Sequence, residues 1–150
     1  MEQSSEPLGE RLGYLLKHAY LRFAEESAAA LEPYGIDGRE LAVLAVLSAA
    51  YPLSQLEAAG RLGVDRTSMV AILDTLEAKG LVARRRSSED RRKNIVELTD
   101  EGRDRLEKAE RARDELERRF LAPLGEEGAR SLTRALRALA TAPEDAAPEA

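Results

Sequence analysis

Cysteine and tryptophan are missing from this chain, histidine occurs once, and aromatic residues make up only 4% of it. Without cysteine there is no disulfide, no thiolate metal site and no thiol redox sensor, and a reducing cytoplasm is the expected setting. No apolar run approaches the roughly 18 residues that a membrane helix needs. The first ten residues, MEQSSEPLGE, lack the basic start and apolar middle of a secretion signal. With a lone histidine, no glycine-rich phosphate loop and no G-x-S-x-G elbow, nucleophilic and metal chemistry have few candidates, so neither an enzyme nor a cofactor or metal is expected. Acidic pairs are common, but on highly charged helices they read as solvated faces.

What is present fits an ordinary folded protein. The 150 residues are 43% hydrophobic and 34% charged, enough for a single domain with a real core. The net charge of -5 argues at first against a polyanionic partner. The whole chain is the wrong scale, however, because binding responds to the local field. Residues 79–93 hold seven cations (Lys79, Arg84, Arg85, Arg86, Arg91, Arg92, Lys93) against Glu89 and Asp90. That stretch carries +5, and the remainder therefore carries -10. A charge run alone reads as a solvated face; what surrounds this one gives it another meaning.

Residues 1–6 are polar and expected to be loose. Pro7 suits a first helical turn, and Leu8, Leu12, Leu15, Leu16, Ala19 and Phe23 recur at helical spacing to about Leu31. Pro33, Tyr34 and Gly35 end that run. Asp37 and Glu40 form a capping pair for a nearly all-apolar, hence buried, helix carrying Leu41, Val43, Leu44 and Leu47, which Pro52 stops. Ser54 and Glu57 repeat the capping pattern for a short helix over 55–62, with Leu56 and Ala59 directed inward. Gly63 supplies a turn. Asp65 caps the next helix, 66–79, and Gly80 closes it. Met69, Ile72, Leu73 and Leu76 form its buried stripe, and its opposite face begins with Arg66, Thr67, Val70 and Ala71.

Strands over 81–86 and 94–98 flank a polar loop, 87–92. Thr99 caps a highly charged helix to about residue 122, with sparse apolar positions at Leu106, Ala109, Leu116 and Phe120. After Pro123 and Gly125 a last helix, about 126–140, shows Leu132, Leu136 and Leu139; the tail, 141–150, is expected to be disordered.

Helix, tight turn, helix and basic hairpin, in that order over 54–102, are the parts of a winged helix-turn-helix. One helix enters the major groove of DNA and the hairpin reaches the neighbouring backbone or minor groove. The expected fold is mainly α, with six helices and a small β-hairpin wing. The first helix and the last two are long for so small a module, and their apolar positions need a partner surface. A homodimer formed by the N- and C-terminal helices would bury them and set two reading helices about one DNA turn apart. The alternative is a monomer whose terminal helices pack on each other.

The stretch LSQLEAAGRLGVDRTSMVAILDTLEAKGLVARRRSSEDRRKNIVELTDEG, residues 53–102, resembles the MarR family of bacterial transcriptional regulators. Within it LEAKGLVARR and DRRKNIVELTDEG are similar to the family's recognition-helix end and wing, and YGIDGRELAVLAVL, residues 34–47, is similar to its second helix. The resemblance runs from about Leu8 to Ala140. It implies a two-fold dimer that represses transcription by binding a pseudo-palindromic double-stranded DNA operator and is released when a small molecule binds. The layout implied is one domain over 1–150: a DNA-binding lobe at about 38–99, dimerisation helices at about 7–33 and 100–140, and the tail. The recognition-helix contacts implied are Asp65, Arg66, Thr67, Ser68, Val70 and Ala71. The wing contacts are Arg84, Arg86, Asp90, Arg91, Arg92 and Lys93. In the family's D-x-R pattern the aspartate orients an arginine that enters the minor groove, and Asp90 and Arg92 stand at those positions. A narrow, A·T-rich groove attracts arginine independently of any family; the plainer reading is an exposed ion pair worth ~0–1 kcal/mol. Val70 and Ala71 depart from the polar or basic residues common in the family. They can touch a thymine methyl but cannot form bidentate bonds to guanine, so shape and wing contacts carry more of the readout.

The resemblance also implies an effector cleft for aromatic or phenolic acids. Tyr14, His18, Arg22 and Tyr51 are its candidate lining, the first three on one face of the first helix. Ordinary packing at a dimer seam is the other reading of these residues. The family's oxidation sensors are excluded by the lack of cysteine, and its urate-binding site is disfavoured by the lack of tryptophan. A different class of function is a DNA-independent protein-interaction module on a winged-helix fold, against which the 79–93 charge concentration argues.

Overall fold

Caps and chain breakers set the boundaries of the elements. In the computed structural model, which describes residues 7–49 and 52–143, a 3₁₀ turn at Leu8–Glu10 leads into α1 (Leu12–Leu31). A second turn at Glu32–Tyr34, with Pro33 inside it, ends that helix. α2 (Gly38–Ser48) starts at Asp37, whose Oδ1 accepts the Glu40 N–H at 2.8 Å. A short strand, β1 (Leu53–Ser54), runs directly into α3 (Gln55–Leu62). The Ser54 hydroxyl accepts the Glu57 N–H and donates to the Glu57 carboxylate, each at 3.1 Å. Gly63, at φ 62°, makes a turn that a side chain would strain. α4 (Arg66–Ala78), β2 (Val82–Arg86), β3 (Asn94–Leu98) and α5 (Asp100–Leu121) follow. After a turn at Ala122–Leu124 comes α6 (Gly125–Ala140). The expected loose start at 1–6, Tyr51 and residues 144–150 of the expected tail lie outside the described residues.

β2 and β3 form the expected hairpin wing, and β1, not expected from the sequence, extends it into a three-stranded antiparallel sheet in the order β1-β3-β2. Leu53 pairs with Val96 and Ser54 with Ile95 on one side of β3; Val82 pairs with Leu98 and Arg84 with Val96 on the other. Two residues are too few to show alternation, and Ser54 already reads as a cap, so β1 leaves no periodic signal. The expectation that needs correction is Leu56, read as directed inward: it is 70% exposed, while Ala58 and Ala59 are the buried residues of α3. α3 packs against both α2 and α4, and small side chains suit that approach.

The described residues fall into two compact units, one reaching to Asp114 and one from Glu115 on, with α5 running through both. The first unit closes around a single core in which Leu44, Leu73, Leu76 and Leu81 are fully buried, joined by Val43, Met69, Val96 and, from α5, Leu106 and Ala109. The start of α5 is locked onto the entry to β2. Thr99 Oγ1 donates to the Gly80 carbonyl at 2.7 Å and the Thr99 N–H to the Leu81 carbonyl at 3.1 Å. Thr99 Oγ1 also accepts the Gly102 N–H at 3.0 Å. A Cβ on Gly102 would stand 2.0 Å from the Leu81 carbonyl oxygen, so only glycine fits. On α1, Leu12, Leu15, Leu16, Tyr20 and Leu21 stay exposed. In the second unit α6 buries none of its residues and leaves Leu132, Leu136 and Leu139 exposed.

Candidate nucleic-acid interface

α4 begins with a carboxylate cap. Asp65 accepts the Ser68 N–H at 2.8 Å and the Ser68 hydroxyl at 2.6 Å. The hydroxyl, then the N–H, hold the Asp65 carboxyl below the usual carboxylate range. These two residues therefore complete the helix start. Arg66 and Thr67 beyond them are exposed, Val70 is half-buried and Ala71 exposed.

The wing tip is built by backbone N–H groups. The Ser87 N–H donates to the Lys93 carbonyl and the Lys93 N–H to the Asp90 carbonyl, both at 3.0 Å. Ser87 Oγ accepts the N–H groups of Glu89 and Asp90 at 3.2 and 3.3 Å. Asp90 Oδ1 accepts the backbone N–H of Arg92 at 3.0 Å. The carboxylate thus holds the Arg92 backbone, as an aspartate two residues ahead of an amide in a tight turn does. The tip from which Arg92 extends is fixed, while Arg91, Arg92 and Lys93 are exposed.

Recognition helix and wing share a groove of about 200 Å³, lined by Arg66, Met69 and Val70 of α4, residues 54–57 of β1 and α3, and Arg92, Lys93 and Asn94. Ser68 and Ala71 instead line a more open depression with Asp37, Arg39 and Glu40. The helix residues expected to read DNA are thus divided between two sides of α4. Among the described residues no carboxylate forms an ion pair with Arg66, Arg86, Arg91, Arg92 or Lys93.

The other cations of the basic stretch have partners inside the lobe. Lys79 Nζ donates to Glu40 at 2.6 Å and to the Gly35 carbonyl at 2.8 Å. Arg85 pairs with Glu97 at 2.9 Å. Arg84, expected on the DNA side, is committed elsewhere: its guanidinium bonds to Asp74, to Glu77 at 3.2 Å and to Gln55 at 3.0 Å. It holds the Glu77 carboxyl below the usual range, and Glu77, then Asp74, raise the guanidinium's own value. Strand alternation explains the placement. Arg84 lies on the same side of β2 as buried Val82 and opposite Val96, so it turns toward the helices. Asp74, Glu77 and Gln55 were missed by reading the basic run as one surface; period-two alternation over 82–86 is the signal that finds them.

The model of the MarR family matches residues 34–93. Two Bacillus subtilis (strain 168) proteins are similar in sequence. The "Uncharacterized HTH-type transcriptional regulator YdgJ" is 35% identical over 98 residues, 65% of this chain and 60% of that protein's length. The HTH-type transcriptional repressor MdtR is 30% identical over 125 residues, 83% of this chain and 81% of that one. The transcriptional repressor CouR bound to a 23-mer DNA duplex is 38% identical, with a TM-score of 0.84 over 89% of this chain and 94% of that one. CouR bound to p-coumaroyl-CoA is 34% identical, with a TM-score of 0.81 over 94% and 99% of the two chains. This chain belongs to the MarR family.

As a MarR-family protein it is a transcriptional regulator and not an enzyme. No helix among the described residues is long and apolar enough to cross a membrane. Of the residues expected at a MarR effector cleft, Tyr14 and His18 stack with ring centroids 4.0 Å apart, and Arg22 Nε pairs with Glu26 at 3.4 Å. Tyr51 lies outside the described residues. The α1–α2 connection is pinned by Arg105, which donates to the Tyr34 carbonyl at 2.6 Å.

Proposed function

We propose that this regulator is a repressor that binds a pseudo-palindromic operator as a homodimer and releases it when a small aromatic or phenolic acid binds. The observation that carries the reading is the groove between α4 and the wing, rimmed by Arg66, Arg92 and Lys93, none of which forms an ion pair with a carboxylate among the described residues. α4 enters the major groove, and Arg92, on a tip held by Asp90, enters the adjacent minor groove. Arg86, Arg91 and Lys93 meet phosphates, which position without specifying. Asp65 and Ser68 act by capping, and Thr67, Val70 and Ala71 touch the major groove.

Residues 38–99 form the DNA-binding lobe of this reading. The helices over 7–33 and 100–140 form the dimer interface, where a second copy covers the leucines exposed on α1 and α6. Binding of p-coumaroyl-CoA by CouR supports an aromatic acid, or its thioester, as the effector class. Tyr14 and His18 are its proposed contacts, with Arg22 and Tyr51.

The test is fluorescence anisotropy against DNA upstream of the protein's own gene, with random DNA as control, at two salt concentrations. Preference for the upstream DNA is expected, with a log–log salt slope of about -0.9 per neutralised phosphate. Release by p-coumaroyl-CoA or a free phenolic acid follows in the same assay. Binding with no preference removes local regulation. Absence of any binding removes the DNA reading and leaves the protein-interaction module.

A further inference from the structure

We propose that Arg84 is a positioning residue, a clamp that sets the wing against the recognition helix, and not one of the phosphate contacts. The inference rests on the DNA-binding reading above and reassigns one residue within it. Three observations support it. The Arg84 side chain is only 20% exposed, although it sits in the most basic stretch of the chain. Its Nε and Nη2 reach Glu77, Nη2 also reaches Asp74, and Nη1 reaches Gln55. Four of the five N–H donors of a guanidinium are then used by groups on α3 and α4. The two carboxylates outweigh the one cation, so the cluster presents no surplus positive charge to a polyanion.

The elements joined are those that must keep a fixed relation to read DNA. β2 carries the wing, Asp74 and Glu77 stand one turn apart on α4, and Gln55 opens α3. A wing displaced relative to α4 cannot place Arg92 in one groove while Arg66 and Val70 lie in the other. The planar fork of arginine suits this; a lysine keeps the charge but cannot hold three acceptors in one plane.

The clamp and the contact predict opposite results. Arg84→Gln, Arg84→Lys and the pair Asp74→Asn with Glu77→Gln are compared with the full-length wild type. The DNA is selected by the wild type from a random library, with unselected DNA as control, over a range of salt. If Arg84 is a clamp, Arg84→Gln keeps the wild-type salt slope on unselected DNA. It loses about tenfold or more of the preference for selected DNA, out of a ratio typically 10³–10⁷. Arg84→Lys does not restore that preference. The Asp74→Asn, Glu77→Gln pair binds unselected DNA more tightly, because two anions are gone, and yet loses preference.

If Arg84 touches phosphate, the slope shrinks by about 0.9 on every DNA, Arg84→Lys largely rescues, and the acidic pair keeps full preference. Those results overturn the clamp. Amide hydrogen exchange in β2 and in the second half of α4 gives a readout without DNA. It rises in Arg84→Gln and in the acidic pair if the clamp is real, and stays at the wild-type level in both if it is not. Wild-type protein that binds no DNA overturns the DNA reading, and the exchange data still decide the clamp. Should Arg84→Gln fail to fold, the acidic pair carries both comparisons.

Discussion

α4 and α6 carry the same apolar grammar and end in opposite states. In α4, Met69, Leu73 and Leu76 vanish into the core of the first unit. In α6, Leu132, Leu136 and Leu139 recur at the same kind of spacing, yet Leu136 is still 44% exposed and no α6 residue is buried. The sequence pattern says only that a stripe wants cover. Which stripe the chain covers for itself depends on what other elements bring to it. α4 meets α2, α3 and the sheet; α6 has its leucines in reserve for something else. The contrast divides the molecule into a lobe that completes its own core and a terminal helix whose leucines stay exposed, the face on which we propose a second copy.

The sharpest way to break this comparison is to remove apolar volume from the closed stripe. Leu73→Ala leaves a cavity in a fully packed site and is expected to cost about 2–5 kcal/mol. Thermal and urea unfolding measure it. A loss under about 1 kcal/mol would mean that α4 is not held as tightly as its burial indicates, and the lobe would resemble α6 more than the contrast allows.

Next in size is Gly102→Ala. The added carbon meets the Leu81 carbonyl oxygen at 2.0 Å, and neither partner is a flexible side chain. Overpacking of this kind costs about 1–3 kcal/mol. The same unfolding curves read it, and Gly60→Ala, with nothing within 4 Å of the new carbon, serves as the control. Equal behaviour of the two variants would show that α5 is free to move off the lobe.

How much of this could be read from the sequence follows from the range of the forces involved. Caps and breakers act within four residues, so Asp37, Ser54, Gly63, Asp65 and Thr99 marked the helix starts and turns almost to the residue. Core stripes repeat regularly and were equally clear in α2 and α4. The missed features depend on partners distant in the chain. β1 exists because Val96 and Ile95 are there to pair with it. Leu56 is exposed because Ala58 and Ala59 make the closer contact. Arg84 and Arg92 both read as exposed cations; alternation along β2 turns Arg84 inward beside Val82, and its partners Asp74, Glu77 and Gln55 lie outside the strand, on α4 and α3. Asp90 was read as the partner of a side chain, and the turn gives it a backbone N–H.

The open stripe is tested by charge. Leu132→Asp together with Leu136→Asp is expected to leave the lobe folded, with its far-UV spectrum retained, because exposed positions outside the core rarely move stability by more than about 0.5 kcal/mol. The same pair is expected to halve the mass seen by sedimentation equilibrium. Unchanged mass would show that α6 is not part of a self-association surface.

The smallest effect concerns how the two helices begin. α6 starts without a side-chain cap hydrogen bond, whereas α4 starts at a carboxylate held below its usual range by the Ser68 hydroxyl and N–H. A carboxyl whose value is lowered by folding stabilises the native state above the usual carboxylate range. It withdraws that contribution as pH falls through the lowered value. Asn caps about as well as Asp and does not titrate in this range. The melting temperature of the wild type is therefore expected to fall toward that of Asp65→Asn on acidification, and to exceed it at neutral pH, where the charge also favours the positive end of the helix. Glu77 titrates in both proteins and cancels in the difference. Parallel profiles for the two proteins would mean that the cap at α4 is no better anchored than the uncapped start of α6, and the closed lobe would owe its order to packing alone.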